Sequence, residues 1–175
     1  TKPLEVVHYN KVLVNSNWKA WQETNMDIYH ELMHVVLRKT QMKAMPMKDR
    51  KLSIFNGGHG GSGSSLKASY TGYKGLADRK EEVCPLPGMT PSDFKFMNLF
   101  PNFTIIARGT AIRIDKITPL SPSTAALEMW GLGLLGESVD DRKIRQRHHN
   151  QYWGPFGRNV PEDIIAAESC ADSFR

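Results

Sequence analysis

A chain of 175 residues, 40% hydrophobic and with a formal charge of +5, has the length for one domain with a sizeable buried core. No apolar run approaches the roughly 20 residues that span a bilayer. The opening TKPLEVVHYN lacks an apolar stretch before a small-residue cleavage site, so neither a membrane nor an export role is expected.

Basic residues alternate with acids, as in Lys48-Asp49-Arg50-Lys51, or cluster on a charged helix, as in Arg142-Lys143-Ile144-Arg145. Both read as solvated faces, not as a nucleic-acid stripe. A mildly basic domain still suits an anionic small molecule or an acidic protein.

Val6 to Tyr9 and Lys11 to Val14 read as strand. Asn15-Ser16-Asn17 is a turn and helix-cap signal. From Trp18 to about Arg38 apolar residues recur at helical spacing: Trp18, Trp21, Met26, Tyr29, Met33 and Leu37. Lys51 to Phe55 is a short strand, Asn56 to Ser65 a glycine-rich loop and Leu66 to Tyr73 another strand. Glu81 to Pro91 is a proline-punctuated loop, and Phe94 to Phe100 a helical turn. Three strands follow, Phe103 to Ala107, Ala111 to Ile117 and Ala125 to Leu132, the middle one alternating as a half-buried antiparallel strand does. Ser138 to Gln151 is a charged helix, and Glu162 to Cys170 a last helix entered through Pro161. Strand, helix, a run of strands and then helices predict an α+β fold with an antiparallel sheet.

The chain begins in a strand and stops just after a helix, so a fragment or one domain of a longer polypeptide is expected. Cys84 and Cys170 are the only cysteines. No disulfide framework is expected, and a reducing cytoplasm is. With no CxxC or CxH pair, the chain cannot hold an iron–sulfur cluster by itself.

His30 and His34 lie four apart in the first helical pattern, so both imidazoles can face one ion, and Asp27 shares that face. His30-Glu31-Leu32-Met33-His34 matches HExxH, the zinc-peptidase helix, which would make Glu31 a general base. That reading needs a third ligand. The extended motif's glycine and histidine positions hold Leu37 and Thr40, and the next glutamates, Glu81 and Glu82, stand beside prolines.

More of the chain follows another pattern. Asn17-Trp18-Lys19, Glu23, Asn25, Asp27-Ile28-Tyr29-His30 and His34 resemble the iron-binding helix of ring-hydroxylating oxygenase α subunits, the Rieske non-haem iron oxygenases. Many members space the histidines one residue wider. Asn56-Gly57-Gly58-His59-Gly60 is similar to a segment near the family's substrate pocket, and Leu99-Phe100-Pro101-Asn102 to its FPN turn. Gly154-Pro155-Phe156-Gly157 with Glu162-Asp163 and Glu168 is similar to its GPxG…DD…E segment. The likeness runs from about Lys11 to Cys170.

The resemblance implies that residues 1–175 are a mononuclear Fe(II) catalytic domain of helix-grip type, a curved antiparallel sheet with covering helices. It implies His30, His34 and Asp163 as iron ligands, with Glu162 the neighbouring candidate; read alone, Asp163 is an ordinary first-turn helix acid. It implies that Asp27 hydrogen-bonds the non-ligating nitrogen of His30 and bridges to a cluster histidine of a neighbouring subunit. Glu31 is then a bystander. His59 lines the substrate pocket or is a plain loop histidine.

The activity implied is that of a terminal oxygenase hydroxylating an aromatic compound, often a carboxylate, or a small sulfonate. Electrons would come from a [2Fe–2S] Rieske cluster outside this chain, fed from NADH by a reductase with or without a ferredoxin. A homotrimer, or α3β3 with a small β subunit, is implied. The alternatives are a zinc metallopeptidase and a metal-free ligand-binding domain.

Gly58-His59-Gly60-Gly61-Ser62-Gly63 with Asp78 also fits GxGxxG, but strand-forming residues follow it instead of a helix, so a loop is expected. His148 and His149 are expected on a charged helix face. Trp18, Trp21, Trp130, Trp153, Met33, Leu37, Met42, Met45 and Met47 are expected in the core.

Overall fold

The computed structural model describes residues 2–27, 30–35, 51–65 and 84–174. Seven strands, β1 (Leu4–Val14), β2 (Lys51–Phe55), β3 (His59–Ser65), β4 (Asp93–Leu99), β5 (Phe103–Arg108), β6 (Ala111–Ser121) and β7 (Thr124–Leu134), form one open antiparallel sheet. Their order is β1-β7-β6-β5-β4-β3-β2. Strands β2 to β7 meander from neighbour to neighbour, and β1 closes the far edge against β7.

Among the described residues, three α-helices, α1 (Trp18–Met26), α2 (Val139–Trp153) and α3 (Val160–Ser173), pack on one face. Polar caps start the first two. Asn17 Oδ1 accepts from the Lys19 N–H at 3.0 Å, and Ser138 Oγ from the Asp141 N–H at 3.1 Å. Val14, Trp21, Ile117, Leu127, Met129, Tyr152, Trp153 and Val160 form the core between helices and sheet. The class is the expected α+β.

Several elements differ from their expected form. The helix from Trp18 does not run to Arg38. It ends at Met26, where Asp27 takes an extended backbone (φ −83, ψ 113), and His30–Met33 is a short 3-10 turn. Asn and Asp compete for backbone groups and favour helix ends, and a three-residue apolar spacing fits a 3-10 turn as well as an α-helix.

The glycine-rich segment is a hairpin. Gly57 (φ 83) and Gly58 (φ 82) make its turn, and residues 59–65 form β3 between β2 and β4. The absent side chain at Gly60 makes room for Met26 of α1. Phe94 to Phe100 is not a helical turn but β4, with Asn98 buried and Lys95 and Met97 exposed at period two. The expected strand Leu66 to Tyr73 lies outside the described residues, as do Leu37, Met42, Met45 and Met47.

The alternation of β6 is present, but the covered face receives its charged members. Arg113 and Asp115 are buried, whereas Ile112 and Ile114 are half-buried on the other face. The face of α2 expected to be solvated is largely interior as well. Arg145, His148 and His149 are buried because α2 lies flat on β6 and β7. Trp21 and Trp153 are in the core as expected, but Trp18 and Trp130 are only half-buried and Met33 is exposed. Cys84 and Cys170 are both free.

Candidate metal centre

Two segments distant in sequence meet at one end of the covered face. The 3-10 turn after α1 brings His30 and His34, and the first turn of α3 brings Glu162 and Asp163. One ligand atom each from His30, His34 and Asp163 lies within 4.8 Å of the others. Asp163 Oδ1 is 3.0 Å from Nε2 of His34 and 3.6 Å from Nε2 of His30. The side chain of His34 is 2% exposed, that of Asp163 8% and that of His30 22%, so the group is open on the His30 side.

The far nitrogen of each ring is engaged. His30 Nδ1–H donates to the backbone carbonyl of Asp27, an obligate acceptor. The partner of His30 Nδ1 is thus the backbone of Asp27. His34 Nδ1 lies 3.2 Å from Glu162 Oε2, and Glu162 Oε1 accepts from the Val35 N–H at 3.0 Å. Both rings thus turn Nε2 inward. Burial opposes a charge on His34, and the carboxylates of Asp163 and Glu162 outweigh it, so its pKa is raised.

Asp163 Oδ2 accepts from Asn159 Nδ2 at 3.0 Å, while the buried Oδ1 faces only Nε2 of His34 and of His30 among the described residues. A buried carboxylate oxygen facing two imidazole nitrogens is what a cation would satisfy. Two histidines and one carboxylate suit iron(II) in an open site. The residues present therefore fit the mononuclear metal that the resemblance implies. The HExxH geometry fits less well, because its histidines belong on one α-helix, whereas here His30 opens a 3-10 turn and His34 follows that turn.

Other expected residues lie apart from this group. His59 stands at the β2–β3 turn, where Nδ1 accepts from the Phe100 N–H at 3.0 Å. His148 Nδ1 pairs with Thr110 Oγ1 at 2.9 Å, and His149 stacks on His8 with centroids 4.6 Å apart. Burial first, and then neighbouring positive charge, lowers both histidines to about 3.

Residues that no pattern singled out surround the centre. Asn159 touches both Asp163 and His34, and Arg108 of β5 bonds Asn159. Asp115 is held by Arg113 Nη2 at 2.6 Å. Burial pushes its pKa up, Arg113 opposes this, and the charge of Asp163 adds to the rise. Gln22, Asn98 and Thr104, with Asn25 of the segment that carries the resemblance, join α1 to the sheet beside it through side-chain hydrogen bonds. Spread over α1, β4, β5, β6 and the start of α3, these residues share no spacing that the sequence reveals.

The family described as ring hydroxylating alpha subunit, catalytic domain, matches residues 2–164. The chain is 42% identical over 98% of its length to the 2-aminobenzenesulfonate 2,3-dioxygenase subunit alpha of Alcaligenes sp., of which it covers 43%. It is 36% identical over 99% of its length to the methanesulfonate monooxygenase hydroxylase subunit alpha of Methylosulfonomonas methylovora, covering 41% of that protein. It thus spans less than half the length of these relatives. The fold is also that of a naphthalene 1,2-dioxygenase from Rhodococcus sp. bound to indole, with TM-score 0.70, 16% identity, and 97% of this chain and 44% of that one covered. From the match over residues 2–164, the chain belongs to the ring-hydroxylating α-subunit family and carries its catalytic domain.

Proposed function

We propose that this chain is the mononuclear-iron catalytic domain of a terminal oxygenase that hydroxylates a small sulfonate or an aromatic sulfonate. The observation that carries the reading is the convergence of His30, His34 and Asp163 within 4.8 Å at a buried, half-open position. Bound there, Fe(II) would supply the binding and reductive activation of dioxygen.

The chain's own residues do the rest. His30 and His34 would hold the ion through Nε2, and Asp163 through Oδ1. The carbonyl of Asp27 and the carboxylate of Glu162 would accept hydrogen bonds from the two Nδ1–H groups, which fixes each tautomer and leaves the inward Nε2 lone pairs to the ion. Asp27 lies exposed next to His30, in position to meet an electron-donating partner. His59 is proposed at the margin of the substrate space.

A sulfonate substrate is supported by the names of the two relatives above and by the chain's net charge of +5. Aromatic carboxylates are the second choice. A 26% identical relative is named as a terephthalate 1,2-dioxygenase component. Electrons are proposed to come from a [2Fe–2S] Rieske cluster outside this chain, supplied through an NADH-dependent reductase with or without a ferredoxin. Assembly as a homotrimer or α3β3 in the cytoplasm follows from the same reading. No described helix is long and apolar enough to cross a membrane.

Metal analysis and turnover of the full-length α subunit test the proposal. About one mononuclear iron per chain, with sulfonate-dependent oxygen uptake that Asp163→Ala abolishes and Glu31→Gln spares, is expected. Stoichiometric zinc with peptidase activity lost in Glu31→Gln would assign the chain to the metallopeptidases instead.

A further inference from the structure

Asn159 is the N-cap residue of α3, a position where asparagine ordinarily satisfies the helix's own N–H groups. Its side chain makes no such bond. Only its backbone carbonyl serves the helix, accepting from Glu162 and Asp163 N–H at 3.0 and 3.1 Å. The side chain turns to the metal centre instead. Nδ2 lies 3.0 Å from Asp163 Oδ2 and 3.2 Å from His34 Nε2, while Oδ1 accepts from Arg108 Nη2 at 3.1 Å.

A guanidinium has donors and no acceptor, so it dictates which end of the amide faces it. With Oδ1 committed to Arg108, the NH2 group must face Asp163 and His34. Arg108 is itself confined. It is buried, and its guanidinium lies 4.3 Å from the ring centroid of Tyr152 and 5.0 Å from that of Phe94.

We infer that Asn159, locked by Arg108, is a positioning residue. It holds Asp163 by Oδ2 so that Oδ1 alone is presented as a ligand atom. The inference rests on the metal centre proposed above. The amide would release its contact with His34 Nε2 on metal binding and keep the one with Asp163.

Chelator-competition titration of the full-length α subunit with Co(II), read by its visible ligand-field spectrum, tests this. Thermal unfolding of the metal-free protein is the structural control. Asn159→Ala should weaken Co(II) binding about 10- to 100-fold and change the spectrum, the range expected when a ligand loses its orienting partner. Arg108→Met, which keeps the apolar stem among the rings, should shift both readouts in the same direction. The double variant should be no worse than Asn159→Ala alone, because Arg108 acts through Asn159. Arg108→Lys should restore part of the loss.

Unchanged affinity and spectrum in Asn159→Ala, with or without a lower Tm, would overturn the positioning role, and so would additive losses in the double variant. If Arg108→Met does not fold, Asn159→Ala and Asn159→Ser, at a half-buried position, decide the matter alone. A wild-type protein that binds no Co(II), or an Asp163→Ala protein that binds it equally well, would sink the underlying metal centre as well. Failure of the positioning role alone leaves wild-type binding and its dependence on Asp163 intact.

Discussion

Glu162 Oε2 lies 3.2 Å from Nδ1 of His34, on the opposite side of the ring from Asp163 Oδ1, which is 3.0 Å from Nε2. Two consecutive acids at the start of α3 therefore address the two nitrogens of one imidazole. Glu162 can orient the ring and stabilise its tautomer, and Asp163 stands where a ligand would.

Their replacements should behave differently. Asp163→Ala should leave the purified protein without stoichiometric iron. Glu162→Gln should retain iron with affinity reduced about 10-fold, because an outer partner tunes a ligand without replacing it. Metal analysis after gel filtration measures both, and iron retained in Asp163→Ala but lost in Glu162→Gln would reverse the two roles.

The imidazole of His149 rests on the bare backbone of Gly131. A Cβ there would lie 2.6 Å from His149 Cδ2 and 3.0 Å from His8 Cβ. The ring of His149 has little room to retreat, since it is buried and also packs edge-on to Trp153 at 5.2 Å. Gly131→Ala should destabilise the fold by about 1–3 kcal/mol through overpacking. Urea unfolding reads this directly, and an unchanged midpoint would show that α2 can shift on the sheet.

His148 and His149 make the fold sensitive to acid. Burial keeps both neutral down to about 3, whereas the unfolded chain protonates them near 6.5. Between these values the unfolded state binds more protons, so stability rises with pH across that window. The contribution is complete above 6.5 and is lost as pH falls toward 3. Shifts of this size amount to on the order of 5 kcal/mol for each histidine. In His149→Phe the decline between pH 7 and pH 5 should be shallower than in the wild type; an equal slope would rule out His149 as its source.

Arg145 anchors α2 from inside. Its guanidinium bonds Glu137 Oε2 at 2.8 and 2.9 Å and the Thr110 carbonyl at 2.7 Å. Both side chains of the ion pair are almost fully buried. Arg145→Met should cost about 3–5 kcal/mol, because it leaves the Glu137 carboxylate without this partner in the interior. Adding Glu137→Gln should recover part of that loss, as a double-mutant cycle measured by calorimetry would show.

Much of the fold was legible because it follows from short-range pattern. The β-branched run of β1, the strand signals of β5 to β7 with the alternation of β6, and the helix-cap signal ending at Asn17 all act within a few residues. The errors fall where a neighbour decides. Residues 59–65 carry three glycines and look like a loop, but they are strand because β2 and β4 pair with them on either side. Phe94 to Leu99 lacks a decisive period until β5 sets its register. Arg113 and Asp115 look like the solvent side of β6, and they are interior because the three helices cover that face and each supplies the other's charge.

The candidate centre divides in the same way. The sequence by itself determined the donor types, His30 and His34 close together with an acidic pair after Pro161, since residue identity and local spacing require no partner. Only the tertiary structure decided that Asp163 and not Glu162 faces the Nε2 atoms, that Asp27 reaches His30 through its carbonyl, and that Asn159 and Arg108 complete the surroundings. Those contacts join a 3-10 turn, a helix start and a strand, and their geometry exists only once the helices have packed on the sheet.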